Sequence, residues 1–376
     1  MNVDESTMEM DPQLAKKLFA TGAVLVITGA PVGTEFGIDL CNYTIGEKFR
    51  GVKMIPPGPH YVWCASCGPY GDVAPRVGFV HYFKSEEVVV REWSQSEEEL
   101  QESQSDDKEL EKKRIRDNLK EFDSFLAPYD YRFYNKWKLL TDKVTESTVD
   151  RCRPTLGPIR TNVELQSCTD EERPRGTLHA NNLQQQKSSK TIVNESDLLP
   201  NLKPVEGTAP RFTELPARVP ENATPAEVSR HSIDCVQAIE QLVGMFHSSE
   251  ALIEEEQLAF VFFLVGCSVE SLAHWRNILH LLAHSEQAVQ NFKILYMKYA
   301  EALMQQVPHL PEELMEPGEY NTVYKDVRAL LVNMNLAGLG VSADKLSRKL
   351  EKTLQWHFDG LLDEDPEDMP VIVEMT

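Results

Sequence analysis

The chain has 376 residues, 41% apolar and 26% charged, with 38 basic against 59 acidic side chains and a formal net charge of −21. That length accommodates two ordinary domains. An acidic field repels a phosphate backbone, so direct nucleic-acid binding is not expected and a basic protein surface is the better partner.

Asp11-Pro12 opens a short predicted helix, DPQLAKKLFA, with a carboxylate N-cap ahead of proline at the first helical position. After Gly22 come short β-rich runs punctuated by Gly and Pro: AVLVIT (23–28), TEFGID (34–39), KFRGVKMI (48–55), HYVWCA (60–65), RVGFVHYF (76–83) and EVVVREW (87–93). Strands at this spacing predict an antiparallel sandwich or barrel-like domain, and the lack of alternating β–α units argues against a doubly wound parallel sheet. Residues 94–114 are polar and charged, which predicts an exposed acidic loop running into a helix. Two helical stretches follow, IRDNLKEFDSFLA and YRFYNKWKLLTDKV, divided by Pro128.

From Arg151 to about Glu221 periodicity disappears and Pro, Thr, Asn and Gln dominate, so a flexible, disordered linker is expected. Helical signals return at Thr224-Pro225-Ala226-Glu227, where threonine caps, proline takes the first position and glutamate reaches back. They continue nearly to the end, with a kink or break expected near Gly266. Leu258 to Cys267 is apolar on all sides, which places its helix at the centre of a bundle. Those ten residues fall short of the roughly 20 that a membrane span needs. The acidic start MNVDESTMEMD lacks a signal-peptide core, and seven cysteines suit mostly free thiols, so an intracellular, soluble protein is expected. The expected layout is α+β. A β-rich domain with trailing helices spans 11–150, a linker 151–221, an all-α domain 222–360, and an acidic tail with a terminal strand segment 361–376.

The stretch Trp63-Cys64-Ala65-Ser66-Cys67 has the spelling of a redox dithiol or half a zinc site. In a thioredoxin-like site the first cysteine caps a helix whose N-terminus lowers its pKa. Here Gly68-Pro69-Tyr70-Gly71-Asp72 follows, which is turn chemistry. Zinc would require two further ligands; Cys41, His60 and His81 are available, but no second C-x-x-C exists. Plain strand-end thiols are the expected outcome, with a thiol- or zinc-dependent enzyme built on Cys64 and Cys67 as the alternative.

His280 and His284 lie four apart in HLLAH, on one helix face, but Leu281 stands where a zinc protease carries its glutamate. A polar helix face is the preferred reading there. The acidic run DEDPEDM (363–369) contains Pro366 and no glycine, so it reads as a solvated tail rather than a calcium loop. No G-x-S-x-G, GxxxxGK[ST] or GxGxxG occurs, and Gly29, Gly33 and Gly37 form a turn pattern. No catalytic residue, cofactor or metal is therefore expected, and the residues describe a non-enzymatic protein that binds other proteins.

Ser94, Ser96, Ser103 and Ser105 each precede Glu or Asp within three residues, a spacing suited to an acid-directed kinase; an unmodified solvated loop is the competing reading. The β-branched Val371, Ile372 and Val373 follow Pro370, which favours an extended segment able to add a strand to a partner's sheet or to this protein's own.

The stretches GTEFGID (33–39) and EKFRGVKMIPPGPHYV (47–62) closely resemble the signature of the AAR-two splicing factor homologue family, assembly factors of the U5 small nuclear ribonucleoprotein. The similarity continues through PRVGF (75–79), FDSFLAPY (122–129), RFTELP (211–216), ATPAEVSRHSIDC (223–235), QLAFVFFLVGCSVESLAHWRNILHLL (257–282) and EDPEDMPVIVE (364–374). The resemblance implies a β-rich N-terminal domain and a C-terminal helical domain similar to the VHS fold. It also implies a chaperone-like, steric job: holding the large U5 scaffold protein through its RNase H-like domain as a cytoplasmic precursor. The U5 helicase is thereby delayed until the two are exchanged in the nucleus. A cytoplasmic protein with a nuclear phase, monomeric outside that complex, is expected. WCASC is not part of the family pattern, and VHS-like domains also occur in trafficking adaptors, which is the competing reading.

Overall fold

The computed structural model describes residues 12–68, 70–102, 108–169, 172, 200–219, 224–225, 228, 234–318 and 320–358. Over these residues the chain divides into two compact units. One takes the chain up to Tyr129 with Asp150–Arg211 and Val265–Glu270; the other takes Asp130–Val149, Phe212–Leu264 and the residues from Ser271 onward.

The first unit begins with α1 (Pro12–Thr21), closed by the Gly22 amide donating to Leu18. Its strands are β1 (Ala23–Thr28), β2 (Glu35–Ile38), β3 (Cys41–Thr44), β4 (Gly51–Ile55), β5 (Gly58–Ala65), β6 (Val77–Phe83), β7 (Val88–Ser94) and β8 (Glu99–Glu102). The two-residue strands β9 (Ala127–Pro128) and β10 (Ile159–Arg160) complete two five-stranded sheets, ordered β8-β7-β1-β4-β9 and β10-β6-β5-β2-β3. The second sheet is antiparallel as expected, but in the first β1 runs parallel to β7 (Val24↔Val88 to Thr28↔Glu92) and β4 parallel to β9. The reason is legible in β1, whose AVLVI run is buried on both faces; a continuous apolar strand suits the middle of a sheet fed by a crossover. Val24, Val26, Val88 and Val90 pack with Leu126 and with Ile115 of α2 (Lys108–Asp117).

The acidic loop and the linker also differ from expectation. The acidic loop predicted from residue 94 instead turns back at once: β8 pairs with β7, Ser94 opposite Glu99, and both Glu99 and Leu100 are buried. The segment 151–221, expected to be a linker throughout, is structured at both its ends. Ile159 is fully buried and pairs with Gly78, β11 (Leu165–Ser167) pairs with β12 (Leu202–Pro204), and Arg211 donates to the Asp150 and Arg153 carbonyls. These contacts join residues that are distant in the chain, so no local periodicity announces them. Residues 173–199 lie outside the described residues.

The second unit is helical. Its elements are α4 (Tyr134–Leu140), α6 (Val236–Gly244), α7 (Ser249–Gly266), α8 (Val269–Ala283), α9 (Glu286–Asn291), α10 (Lys293–Gln306), α11 (Glu312–Met315), α12 (Thr322–Leu336) and α13 (Gly340–Leu354), together with the first residues of α5 (Glu146–Cys152); α3 (Leu119–Phe122) belongs to the first unit. Residues 251–262 of α7 are all buried, so it is the central helix, and it stops where Cys267 turns left-handed (φ 56°). Ser285 and Asn321 cap α9 and α12 by accepting the Ala288 and Tyr324 amides. Helix α4, read as trailing the β-rich domain, instead belongs to the helical unit, where it buries Trp137 and Leu140. Among the described residues no helix is long and apolar enough to cross a membrane.

Candidate functional site

The Cys64/Cys67 stretch lies at the end of β5. Cys64 is 1% exposed, and burial pushes its thiol up to about 12, opposite to the shift a nucleophile needs. Cys67 is exposed and sits past the strand end, bridged to Val73 by a turn closed by the Gly68 amide on Asp72. All seven cysteines are free thiols, and among the described residues no three ligand side chains converge on Cys64 or Cys67.

Two of the histidines considered as zinc ligands are engaged elsewhere. His60 on β5 sets Nδ1 2.6 Å from Asp39 Oδ2, and the same oxygen accepts the Tyr129 hydroxyl at 2.6 Å. Asp39 Oδ1 accepts the Tyr61 amide at 3.0 Å. An Asp–His pair is half of an acid–base relay, but Nε2, the nitrogen that would face a nucleophile, is 2.8 Å from the Pro56 carbonyl. The constellation ties β5, the turn after β2 and the chain after β9 together, and it is buried throughout. His81 Nε2 lies 3.0 Å from Glu87 Oε1, a contact that helps hold the Glu87 carboxyl low against its own desolvation.

A denser polar cluster lies on α7. Glu254, Glu255, Glu256 and Gln257 are consecutive on α7 and all buried. Each has its own partner set. Glu254 accepts the Thr145 and Thr148 hydroxyls; Glu255 accepts the Thr213 amide (2.8 Å) and hydroxyl (2.9 Å) and faces His274 Nε2 at 2.9 Å. Glu256 accepts Trp275 Nε1 at 2.7 Å and Gln306 Nε2 at 2.9 Å, and Gln257 bonds the Lys143 amide and the Asp142 carboxylate. Consecutive helix positions point in every direction, so this run sends one hydrogen-bonding group to each surrounding segment. Burial of the Glu256 carboxyl raises its pKa to about 8 in spite of the two donors. The signal in the sequence was an acidic run leading without a break into LAFVFF.

His280 and His284 do share a helix face, as their spacing predicts, and the structure adds Asp326 from α12. Asp326 Oδ1 is 3.0 Å from His280 Nδ1 and 2.9 Å from His284 Nε2. Of the proposed phosphorylation sites, Ser96 is exposed, whereas Ser94 accepts the Glu97 amide at 3.3 Å in the β7–β8 turn. Ser103, Ser105, Val371, Ile372, Val373 and the acidic run 363–369 lie outside the described residues.

A β-rich unit and a helical unit, each with buried, hydrogen-bonded polar clusters in its interior, define a two-unit α+β protein. The AAR2 N-terminal domain matches residues 21–154 and the AAR2 C-terminal repeat region matches residues 212–359. Protein AAR2 homolog of Homo sapiens is 34% identical over 385 residues, covering 98% of each chain, and that of Mus musculus is 33% identical over the same span. Protein AAR2 homolog of Caenorhabditis elegans is 34% identical over 312 residues, covering 81% of this chain and 84% of its own. The chain belongs to the AAR2 family.

Proposed function

We propose that this protein acts in pre-mRNA splicing as a non-catalytic, chaperone-like assembly factor of the U5 small nuclear ribonucleoprotein. It binds the RNase H-like region of the large U5 scaffold protein and delays helicase joining, in the cytoplasm with a nuclear phase. The observation that carries this reading is family membership along nearly the whole chain, with both units matched. Two physical features support it. Cys64 and His60, which could suggest thiol or acid–base chemistry in the β-rich unit, are both buried, and both His60 ring nitrogens are engaged. A net charge of −21 suits a basic protein surface better than nucleic acid.

Capture of partners from cell extract with the full chain tests the proposal. Recovery of the large U5 protein without the mature helicase is the expected result. Vesicle coat proteins in its place would establish the trafficking alternative, and scaffold recovered together with the helicase in equal amount would overturn the delaying role.

A further inference from the structure

We infer that His280, His284 and Asp326 form a binding site for a divalent transition metal of the zinc class, a property separate from the assembly role proposed above. The two histidines stand one turn apart on α8, and Asp326 reaches them from α12; the three ligand atoms all lie within 4.8 Å of one another. In a tetrahedral centre with zinc–ligand bonds of about 2.0–2.2 Å, neighbouring ligand atoms are about 3.3 Å apart. The observed separations of 3.0 and 2.9 Å from the carboxylate oxygen to the two ring nitrogens fall within a few tenths of an ångström of that. Small rotations of two imidazoles would open the cluster to an ion.

The backbone that carries these ligands is held on both sides of the cluster. Asn333 of α12 donates to the Ala283 carbonyl of α8 at 2.8 Å, and Arg276 of α8 donates to the Thr322 hydroxyl at the start of α12. Between those ties, Ile278, Leu279, Leu281 and Leu282 of α8 and Val327, Leu330 and Leu331 of α12 are buried. Ligands on packed helices need little reorganisation on binding, which is what a metal site requires.

The donor set selects the ion. Two imidazoles and one carboxylate suit zinc, cobalt or nickel, whereas calcium and magnesium demand oxygen donors alone. Three protein ligands leave a coordination position for water, and the exposure of His280 (54%) and His284 (32%) opens the cluster to solvent. Arg218 lines the same small cavity as His280, and its charge argues for modest affinity. The Asp326 carboxylate oxygen is shared between both rings, so metal binding is an exchange of partners.

The test uses the purified full chain, stripped with chelator, titrated with Zn²⁺ alone by calorimetry and with Co²⁺ alone by visible absorption. One equivalent of each should bind, with tetrahedral-type cobalt bands. His280→Ala, a half-exposed position, and the shape-conserving Asp326→Asn should each weaken binding tenfold or more, while the paired change Cys64→Ser with Cys67→Ser should leave it unchanged. Zinc at a hundred times its dissociation constant should raise the melting temperature of the helical unit by roughly 5 °C or more, and should do so much less in His280→Ala. Absence of saturable binding, binding indifferent to both α8 and α12 variants, or binding lost in the cysteine variant would each overturn the inference.

Discussion

Glu256 is a carboxyl at which burial and hydrogen bonding oppose each other. The Trp275 and Gln306 N–H groups favour its ionised form, but burial outweighs them and raises the pKa from the ordinary 4.5 to about 8. The folded protein therefore holds a proton that the unfolded chain releases. Stability from this group is fully present below pH 4.5 and is lost as pH rises toward 8, with a slope approaching about 1.4 kcal/mol per pH unit inside that window. Glu256→Gln should remove this component, so the variant gains on the wild type steadily across the window in urea midpoint. A difference between the two that stays constant with pH would show that no proton is buried there. Gly37 makes a different kind of contact: it stands opposite Trp63 on β5, and a Cβ at this position would collide with the indole. Gly37→Ala should cost about 2 kcal/mol by overpacking, whereas Gly46→Ala, with open space around it, should stay within about 0.5 kcal/mol. Equal melting temperatures for the two variants would contradict the packing argument.

Strands and helices in this chain take their place from burial rather than from order. β1 sits between β7 and β4 because both its faces are apolar, and α4 joins the helical unit because Trp137 and Leu140 need a core. Periodicity identifies α4 as a helix and says nothing about which core receives it. The terminal PVIVEMT segment raises the same question for an element outside the described residues. Its three consecutive β-branched residues argue that it adds to a sheet edge, and the proposed recipient is the U5 partner. Truncation after Asp368 should then weaken partner binding at least tenfold, about 1.4 kcal/mol, with little change in the melting temperature of the free protein. Lost stability with retained affinity would instead assign the segment to this protein's own sheets.

For the molecule as a whole, net charge is the quantity that bears on the proposed association with a basic protein surface. A chain at −21 that recognises a basic surface is steered to it over distances that salt shortens. Surface-capture kinetics with the RNase H-like region should show the association rate falling several-fold from low to high salt, with the dissociation rate much less affected. An association rate indifferent to salt would remove electrostatic steering from the account. Family membership spans both units, so the binding function is expected of the full chain, and that is the form to measure.

What the sequence determined alone was whatever is encoded locally. The change from β-rich to helical texture, the central position of the Leu258–Cys267 helix, the break at Gly266, the turn after Cys67 and the family's FRGVKMIPPG stretch all follow from neighbouring residues. Tertiary structure decided what depends on partners distant in the chain. Examples are the parallel pairing of β1 with β7, the recruitment of Ile159 to the edge of β6, the Glu256–Gln306 bond across 50 residues and the arrival of Asp326 beside His280 across 46. A buried glutamate and a solvated one read alike in one dimension. They separate only when folding removes water from one of them and supplies hydrogen-bond donors in its place.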